Sequence, residues 1–145
     1  MTEYNPQVWG PHYWFVLYTI ASTYPDTPNE FTKRKYYDFI QNMPLFIPNI
    51  SIGNHFSELL DKYPCSPYLS SRDSFKKWIH FIHNKVNVYI GKKEISFLHA
   101  DDLYNAQFKP KPIILSETFK IRKHHIYLIF TMCCIIFIYI FYKNT

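Results

Sequence analysis

Glycine and cysteine are both scarce in this chain of 145 residues. With three glycines, it has no Gly-rich loop of the kind that cradles phosphates in nucleotide-binding domains. Three cysteines exclude a scaffold built on many disulfides. A net charge of +5 that is spread along the chain is a weak signal for nucleic acid, so no nucleic-acid partner is predicted.

Apolar and aromatic residues are abundant by contrast. Hydrophobic residues make up 48% of the chain and aromatic residues alone 20%, which is enough to build the core of one domain largely from rings. The seven histidines include no H-E-x-x-H pattern and no Cys/His zinc spacing, so no metal site is predicted.

The end of the chain differs in kind from the rest. Residues 126–142 contain no charged residue, no proline and no glycine, and their length is at the short end of what crosses a bilayer. A buried core helix is the alternative, but such a helix in a small domain rarely lacks a polar face. A basic cluster precedes the run and Lys143 follows it, so we expect a single-pass tail anchor in membrane lipid, with the preceding domain in the cytoplasm. Cys133 and Cys134 lie inside the run and are expected to act as small apolar residues.

The remainder of the chain predicts an all-α bundle of four to five helices. Apolar residues recur at helical spacing over 7–24, 28–43, 54–62 and 70–90, and a short last helix is predicted over 100–106. The segment 44–52 holds two prolines and is interpreted as a break or a helix entry.

Two segments are candidates for a binding site. The first, on the first predicted helix, is the W-G-x-x-x-W pattern of Trp9, Gly10 and Trp14. The second, on the fourth predicted helix, is an H-N-x-V-N pattern that begins at His83 and ends at Asn87. These last two residues share one helix face, so a ring and an amide could together hold a flat ligand with polar edges. The residues alone leave a plainer alternative open, in which the tryptophans belong to the core and the His-Asn pair is an ordinary surface pair.

Together these segments resemble the ERV/ALR family of FAD-linked sulfhydryl oxidases, including small members from large cytoplasmic DNA viruses. The resemblance covers about residues 9–97 and includes the segments Tyr24-Pro25-Asp26 and Ser71-Arg72-Asp73. It implies a helical bundle that cradles FAD, often as a homodimer. By position, it implies that the flavin pocket is lined by these residues: Trp9, Gly10, Trp14, Tyr18, His83, Asn84, Asn87 and Lys92.

The side chains of Tyr18 and Lys92 have separate expected roles in this pocket. Tyr18 stands where the family usually has a histidine, and its ring can still stack and donate one hydrogen bond. Lys92 is expected to reach the phosphates of the cofactor as a mobile point charge.

The same resemblance reveals a departure at the redox centre. Family members carry a Cys-x-x-Cys pair after a proline at the start of the third helix; one sulfur exchanges with the substrate and the other passes electrons to the flavin. In this chain that register falls on Asn49 and Ile52, so no catalytic residue is assigned. Cys65 also follows a proline, but it is only eighteen residues before His83. That leaves no room for the third helix, and we expect an ordinary loop thiol.

Two functions are implied by the resemblance. The first is a membrane-anchored thiol oxidase that converts a protein dithiol and O2 to a disulfide and H2O2 through FAD, with cysteines borrowed from a partner or from its thiol-containing protein substrate. The second is a redox-inactive relative that keeps the fold and acts as an FAD-binding, dimerisation or scaffold partner of an active relative. The expected organisation is an FAD-binding helical domain over 1–108, a linker and basic juxtamembrane segment over 109–125, and a transmembrane helix over 126–142.

Overall fold

In a computed structural model of the chain, the residues described are 4–110 and 123–144. The first range forms five α-helices: α1 Pro6–Ser22, α2 Glu30–Asn42, α3 Ile50–Lys62, α4 Arg72–Tyr89 and α5 Phe97–Ala106. Short 3-10 turns at Met43–Phe46 and Ser66–Tyr68 connect α2 to α3 and α3 to α4. Neither described range contains a strand, so the all-α prediction is confirmed.

Asparagine and serine side chains begin these five helices. Each accepts a hydrogen bond from a backbone N–H two or three residues ahead, and the capping residues are Asn5, Asn29, Asn49, Ser71 and Ser96. Such a bond satisfies a donor that has no partner within the helix. Asn49, which directly follows Pro48, caps α3, and the helix begins at Ile50. The predicted helix began at residue 54.

Helices α1 and α4 form the centre of the bundle, and α3 and α5 each pack against α4. The core that they share is almost wholly inaccessible to solvent and includes Leu17, Ala21, Phe75, Ile79 and Ile82. Truncating a large side chain of this kind to alanine typically costs about 2–5 kcal/mol. The pairing of α1 with α4 matters for function because it brings together the two helices that carry the sequence motifs.

The Tyr24 and Arg72 segments meet beside the start of α4. Arg72 Nε donates to the Tyr24 carbonyl oxygen over 2.6 Å, and its guanidinium lies 3.1 Å from the Asp26 carboxylate. The buried Tyr24 hydroxyl donates to the Leu69 carbonyl oxygen over 2.8 Å. These contacts hold the turn after α1 against the start of α4, so both segments have a structural role.

The C-terminal helix α6, Lys123–Lys143, forms a separate unit. Its segment His125–Lys143 is long and apolar enough to cross a membrane. The linker and juxtamembrane segment predicted over 109–125 lies mostly outside the described residues.

Candidate functional site

A cleft of about 270 Å³ is lined by residues of α1, α4 and α5 and of the segment between α4 and α5. Six of the eight predicted cofactor residues line it: Gly10, Trp14, Tyr18, His83, Asn87 and Lys92. They are separated by up to 82 positions in sequence, from Gly10 to Lys92, and the pairing of α1 with α4 brings them together. The two motifs therefore form one site.

The other two predicted residues, Trp9 and Asn84, do not line this cleft. Trp9 lines a smaller cavity of about 30 Å³ that shares Gly10 and Trp14 with the cleft. Asn84 Nδ2 donates to the Ile95 carbonyl oxygen over 2.9 Å, and the Ile95 N–H donates to Asn84 Oδ1 over 3.1 Å. The Asn84 amide thus holds the segment after α4 against the helix.

An aromatic stack and a buried hydroxyl dominate one side of the cleft. The rings of Trp14 and His83 are parallel within 19°, with centroids 4.0 Å apart. The Tyr18 hydroxyl lies 3.0 Å from His80 Nδ1 and 3.2 Å from His83 Nδ1. A flat heteroaromatic ligand would find both a ring face and fixed hydrogen-bonding groups here.

Two observations indicate that the cleft fits a ligand. The Asn87 side chain is 7% exposed and lines the cleft, and within the described part of the chain its amide makes no side-chain hydrogen bond. Its amide atoms are not sealed from the cleft, so they are available to a ligand. Apart from its chain neighbours and the nearby backbone of α1, a Cβ atom built on Gly10 would meet no atom within 4 Å, so the absence of a side chain on α1 leaves open space that a ligand can use.

The end of α4 places Lys92 at the cleft. Gly91 has a φ of 77°, a left-handed conformation that glycine adopts without strain. The Gly91 N–H donates to Val88 O over 3.0 Å, and the Lys92 N–H donates to Asn87 O over 2.7 Å. This pair of bonds is the Schellman motif at the C-terminus of a helix. It places the cationic side chain of Lys92 directly after the end of α4.

The histidines beside the cleft are held neutral. Burial, followed by the nearby His80 and the positive charge of Lys92, lowers the pKa of His83 to about 4. Burial also lowers the pKa of His80 and raises the pKa of Tyr18 above its ordinary value. At neutral pH the three groups are therefore uncharged, and each ring nitrogen has a defined role as donor or acceptor.

Acid is expected to destabilise the domain through His83. Its folded pKa of about 4 lies below the ordinary value of about 6.5, so the unfolded chain binds the proton more tightly. The contribution of neutral His83 to the free energy of unfolding is therefore complete above about pH 6.5. It decreases as the pH falls towards 4, by as much as about 3 kcal/mol. The measurement is urea unfolding of the ligand-free full chain in detergent micelles, followed by tryptophan fluorescence.

Two variants serve as controls for this acid effect. In His83→Gln the titrating ring is gone, so the difference in unfolding free energy between the parent and this variant should shrink as the pH falls from 6.5 to 4. His99 is exposed, and His99→Gln should follow the parent at every pH. A parent-to-variant difference that stays constant for His83→Gln would contradict the assignment.

The expected redox positions carry no sulfur. Asn49 caps α3 by accepting a hydrogen bond from the Ile52 N–H over 2.9 Å. The Ile52 side chain is buried and lines the smaller cavity. The family resemblance places these two residues at the start of the third helix, and α3 begins there rather than at residue 54, where the apolar spacing placed it. No cysteine lines either cavity.

Cys65 lies between α3 and α4, as predicted, but it belongs to the core. It is fully buried, and burial raises the pKa of its thiol to about 11. The thiolate is the reactive form of cysteine, so this side chain is inert at neutral pH. It cannot replace the missing pair.

Sequence reasoning missed part of the cleft. Helix α5 and the residues before it supply one wall, which includes Ile95, Ala100, Leu103, Tyr104 and Gln107. The Tyr104 hydroxyl donates to Thr19 Oγ1 on α1 over 3.0 Å, and this contact holds α5 against α1. His80 was also missed, and nothing in its sequence context distinguished it from a core residue.

A protein-family model matches most of this chain. The family model described as Erv1 / Alr family matches residues 11–109, which includes every residue of the cleft except Pro6 and Gly10. The match ends near the end of the first structural unit, at Lys109.

Individual relatives and solved structures agree with this match. The chain is 33% identical over 108 residues to the "Probable FAD-linked sulfhydryl oxidase" of Acanthamoeba polyphaga mimivirus, covering 74% of this chain and 76% of the relative. It is 30% identical over 96 residues to an FAD-linked sulfhydryl oxidase of African swine fever virus, covering 66% and 79% respectively. The crystal structure of the FAD binding domain of Erv1 from Saccharomyces cerevisiae shares the fold, with a TM-score of 0.65, 20% identity and coverage of 73% of this chain and 99% of that domain.

Proposed function

The chain belongs to the Erv1/Alr family, and from this premise we propose that it binds FAD in the cleft between α1, α4 and α5. The observation that carries the proposal is the amide of Asn87, which is open to the cleft on a residue only 7% exposed and makes no side-chain hydrogen bond among the described residues. The names of the viral relatives, both FAD-linked oxidases, support the same ligand.

Each residue of the cleft has a separate part in binding. The stacked rings of Trp14 and His83 offer a flat apolar surface for a heteroaromatic ring. Asn87 can donate and accept at the ligand's polar edge. Lys92 supplies a positive charge for phosphate oxygens. Asn84 contributes indirectly, because its bonds to Ile95 hold one wall in place.

We further propose that the chain does not oxidise dithiols by itself. Bound FAD would supply an acceptor for the electron pair of a cysteine pair, with oxygen as the final acceptor. That transfer requires one sulfur to form a mixed disulfide and a second to resolve it. Asn49 and Ile52 can do neither, and the buried Cys65 is a single protonated thiol. The function best supported is that of an FAD-binding, redox-inactive member of the family.

A second candidate is oxidation with borrowed cysteines. Beside Asn49, three apolar side chains are strongly exposed: Leu45, Phe46 and Ile50, at 79%, 64% and 77%. A thiol-containing protein that docks on this surface would bring its own dithiol to the place where the family pair normally lies. Oxygen uptake with a dithiol protein that never exceeds a buffer blank would exclude this candidate.

We also propose that α6 anchors the domain to a membrane as a tail, with the domain in the cytoplasm. The length and apolar composition of His125–Lys143 support the anchor, and the basic residues before it support the orientation. The division into a domain over 1–108, a linker over 109–125 and a membrane helix over 126–142 is part of this proposal. A homodimer, or a pairing with an active relative, stays a prediction from the family.

The absorption spectrum of the full chain, purified in detergent, tests FAD binding directly. We expect the visible band of oxidised flavin in an amount equimolar with the chain. Acid precipitation should release FAD, since Lys92 and Asn87 hold it without a covalent bond. A colourless chain that is folded and helical by circular dichroism, and that stays colourless when FAD is added, would overturn the proposal.

A further inference from the structure

We propose that His80 is a positioning residue: through Tyr18 it fixes His83 in the tautomer that carries its proton on Nε2, and so gives the cleft a permanent hydrogen-bond donor. The inference rests on the proposed function, because the donor is directed to the FAD that the cleft would hold. The arrangement consists of four side chains, Asn84, His80, Tyr18 and His83, which we call the relay.

The relay begins at the Asn84 amide, whose orientation is settled by the backbone. The Ile95 N–H donates to Asn84 Oδ1, and the Ile95 carbonyl accepts from Asn84 Nδ2. The same Nδ2 lies 3.1 Å from His80 Nε2. The Ile95 backbone and the Glu94 charge also act on the His80 ring and raise its pKa, but burial outweighs them. Because an amide NH2 only donates, the contact with Asn84 assigns His80 Nε2 as an acceptor without a proton.

The direction of every later bond follows from this one. A neutral His80 without a proton on Nε2 carries it on Nδ1, which donates to the Tyr18 hydroxyl over 3.0 Å. The hydroxyl has a single hydrogen, which it donates to His83 Nδ1 over 3.2 Å. His83 Nδ1 is then an acceptor, and its proton is on Nε2.

Burial preserves this order. His80 is 7% exposed and Tyr18 is 6% exposed, so water cannot easily replace the hydrogen bond between these two members of the relay. Burial also lowers the pKa of both histidines, which keeps the rings neutral and prevents a second proton from making His83 Nδ1 a donor. The packing of His80 edge-on against Phe97, with centroids 5.5 Å apart, holds the first ring in place.

The consequence concerns the ligand side of His83. This ring lines the cleft and stacks on Trp14, so its Nε2–H is offered in the plane of the stack. A ligand edge with an acceptor nitrogen or carbonyl oxygen is favoured, and one with a donor at that point is rejected because two donors would face each other. Tyr18 and His80 thereby contribute to selectivity for the cofactor although His80 does not line the cleft.

The tautomers can be read directly in the ligand-free full chain. We would label histidine with 15N, record the imidazole nitrogens in detergent micelles at pH 7.5, and assign His80 and His83 from single-histidine substitutions. The expected result is a proton on Nδ1 of His80 and on Nε2 of His83. A proton on His83 Nδ1, or on His80 Nε2, would overturn the relay whether or not the chain binds FAD.

Two variants test the direction of control. Tyr18→Phe removes the hydroxyl from the relay and should leave His83 as a mixture of tautomers. His80→Phe keeps a ring for the contact with Phe97 and removes the Nδ1–H, so the Tyr18 hydroxyl can reverse and the same mixture should appear. The control His99→Gln alters an exposed ring and should leave the His83 signals unchanged. A single Nε2–H tautomer in both variants would show that His80 does not set it.

The affinity for FAD tests the link to the cofactor. By equilibrium dialysis, Tyr18→Phe should bind FAD roughly three- to tenfold more weakly, the value of one neutral hydrogen bond, and His99→Gln should bind like the parent. An unchanged affinity in a Tyr18→Phe chain whose His83 tautomer has become mixed would overturn the selectivity. Failure of the parent to bind FAD would contradict the proposed function, while the tautomers still decide the relay.

Discussion

Replacing Asn49 and Ile52 together with cysteine is expected to turn the chain into a dithiol oxidase, with oxygen uptake rising from the buffer blank to a clear enzymatic rate. The two positions are the cap and the first turn of α3, and the second lines the small cavity that shares Gly10 and Trp14 with the cleft. The start of a helix lowers the pKa of a thiol, so a cysteine at position 49 would be reactive. The measurement is oxygen consumption with dithiothreitol by the purified full chain in detergent.

The single variants are the matched controls for this gain of function. Asn49→Cys and Ile52→Cys each supply one sulfur, which can form a mixed disulfide but cannot resolve it within the chain, so both should stay at the blank. Losing the Asn49 cap costs about 1 kcal/mol, which the double variant and one single variant share. A double variant that binds flavin and stays inactive would show that the redox register is not at these residues.

Replacing Gly10 with leucine is expected to weaken FAD binding roughly 10- to 100-fold. The added side chain would crowd the bound ligand, and overpacking of this kind costs about 1–3 kcal/mol. A Cβ atom at Gly10 meets no atom within 4 Å outside its chain neighbours and the nearby backbone of α1, and Gly10 lines both the cleft and the smaller cavity, so the new side chain should fill space that the ligand would use. The same change removes a glycine from the interior of α1, which should raise the stability of the ligand-free chain by up to about 1 kcal/mol.

Opposite effects on binding and on folding separate this prediction from simple misfolding. Gly10→Ala is the matched control, since it gives nearly the same gain in helix stability with one added carbon, and its affinity should fall much less. Affinity is measured by equilibrium dialysis and stability by urea unfolding of the ligand-free chain. Equal affinities for the parent and the leucine variant would mean that FAD does not occupy the space beside Gly10.

The helices could be predicted because local chemistry determines them. Asn29 and Ser71 are residue types that favour the N-cap position. The helices that they cap begin within a residue or two of the predicted positions. The start of α3 was predicted too late, because Pro44 and Pro48 read as a break. Pro48 is compatible with a capping Asn49 directly after it, and α3 begins at the next residue.

The cleft was only partly predictable, because a sequence motif identifies residues of a site but not the residues that pack against them in the fold. Trp14 and His83 were expected at one site, and they stack there. Asn84 was grouped with His83 by adjacency, but successive residues on a helix point about 100° apart, and its amide bonds Ile95 instead. The wall from α5 depends on contacts such as Tyr104 with Thr19, which join residues 85 positions apart and have no local signature.

An anaerobic titration of the purified full chain with dithiothreitol tests the central claim, that the cleft holds FAD while the chain lacks its own path for electrons. We expect a bound flavin, equimolar with the chain, whose visible band fades no faster than that of free FAD at the same concentration. The Asn49→Cys, Ile52→Cys double variant should lose the band rapidly under the same conditions. Rapid fading in the parent chain would contradict the account, because electrons would then reach the flavin without the missing pair.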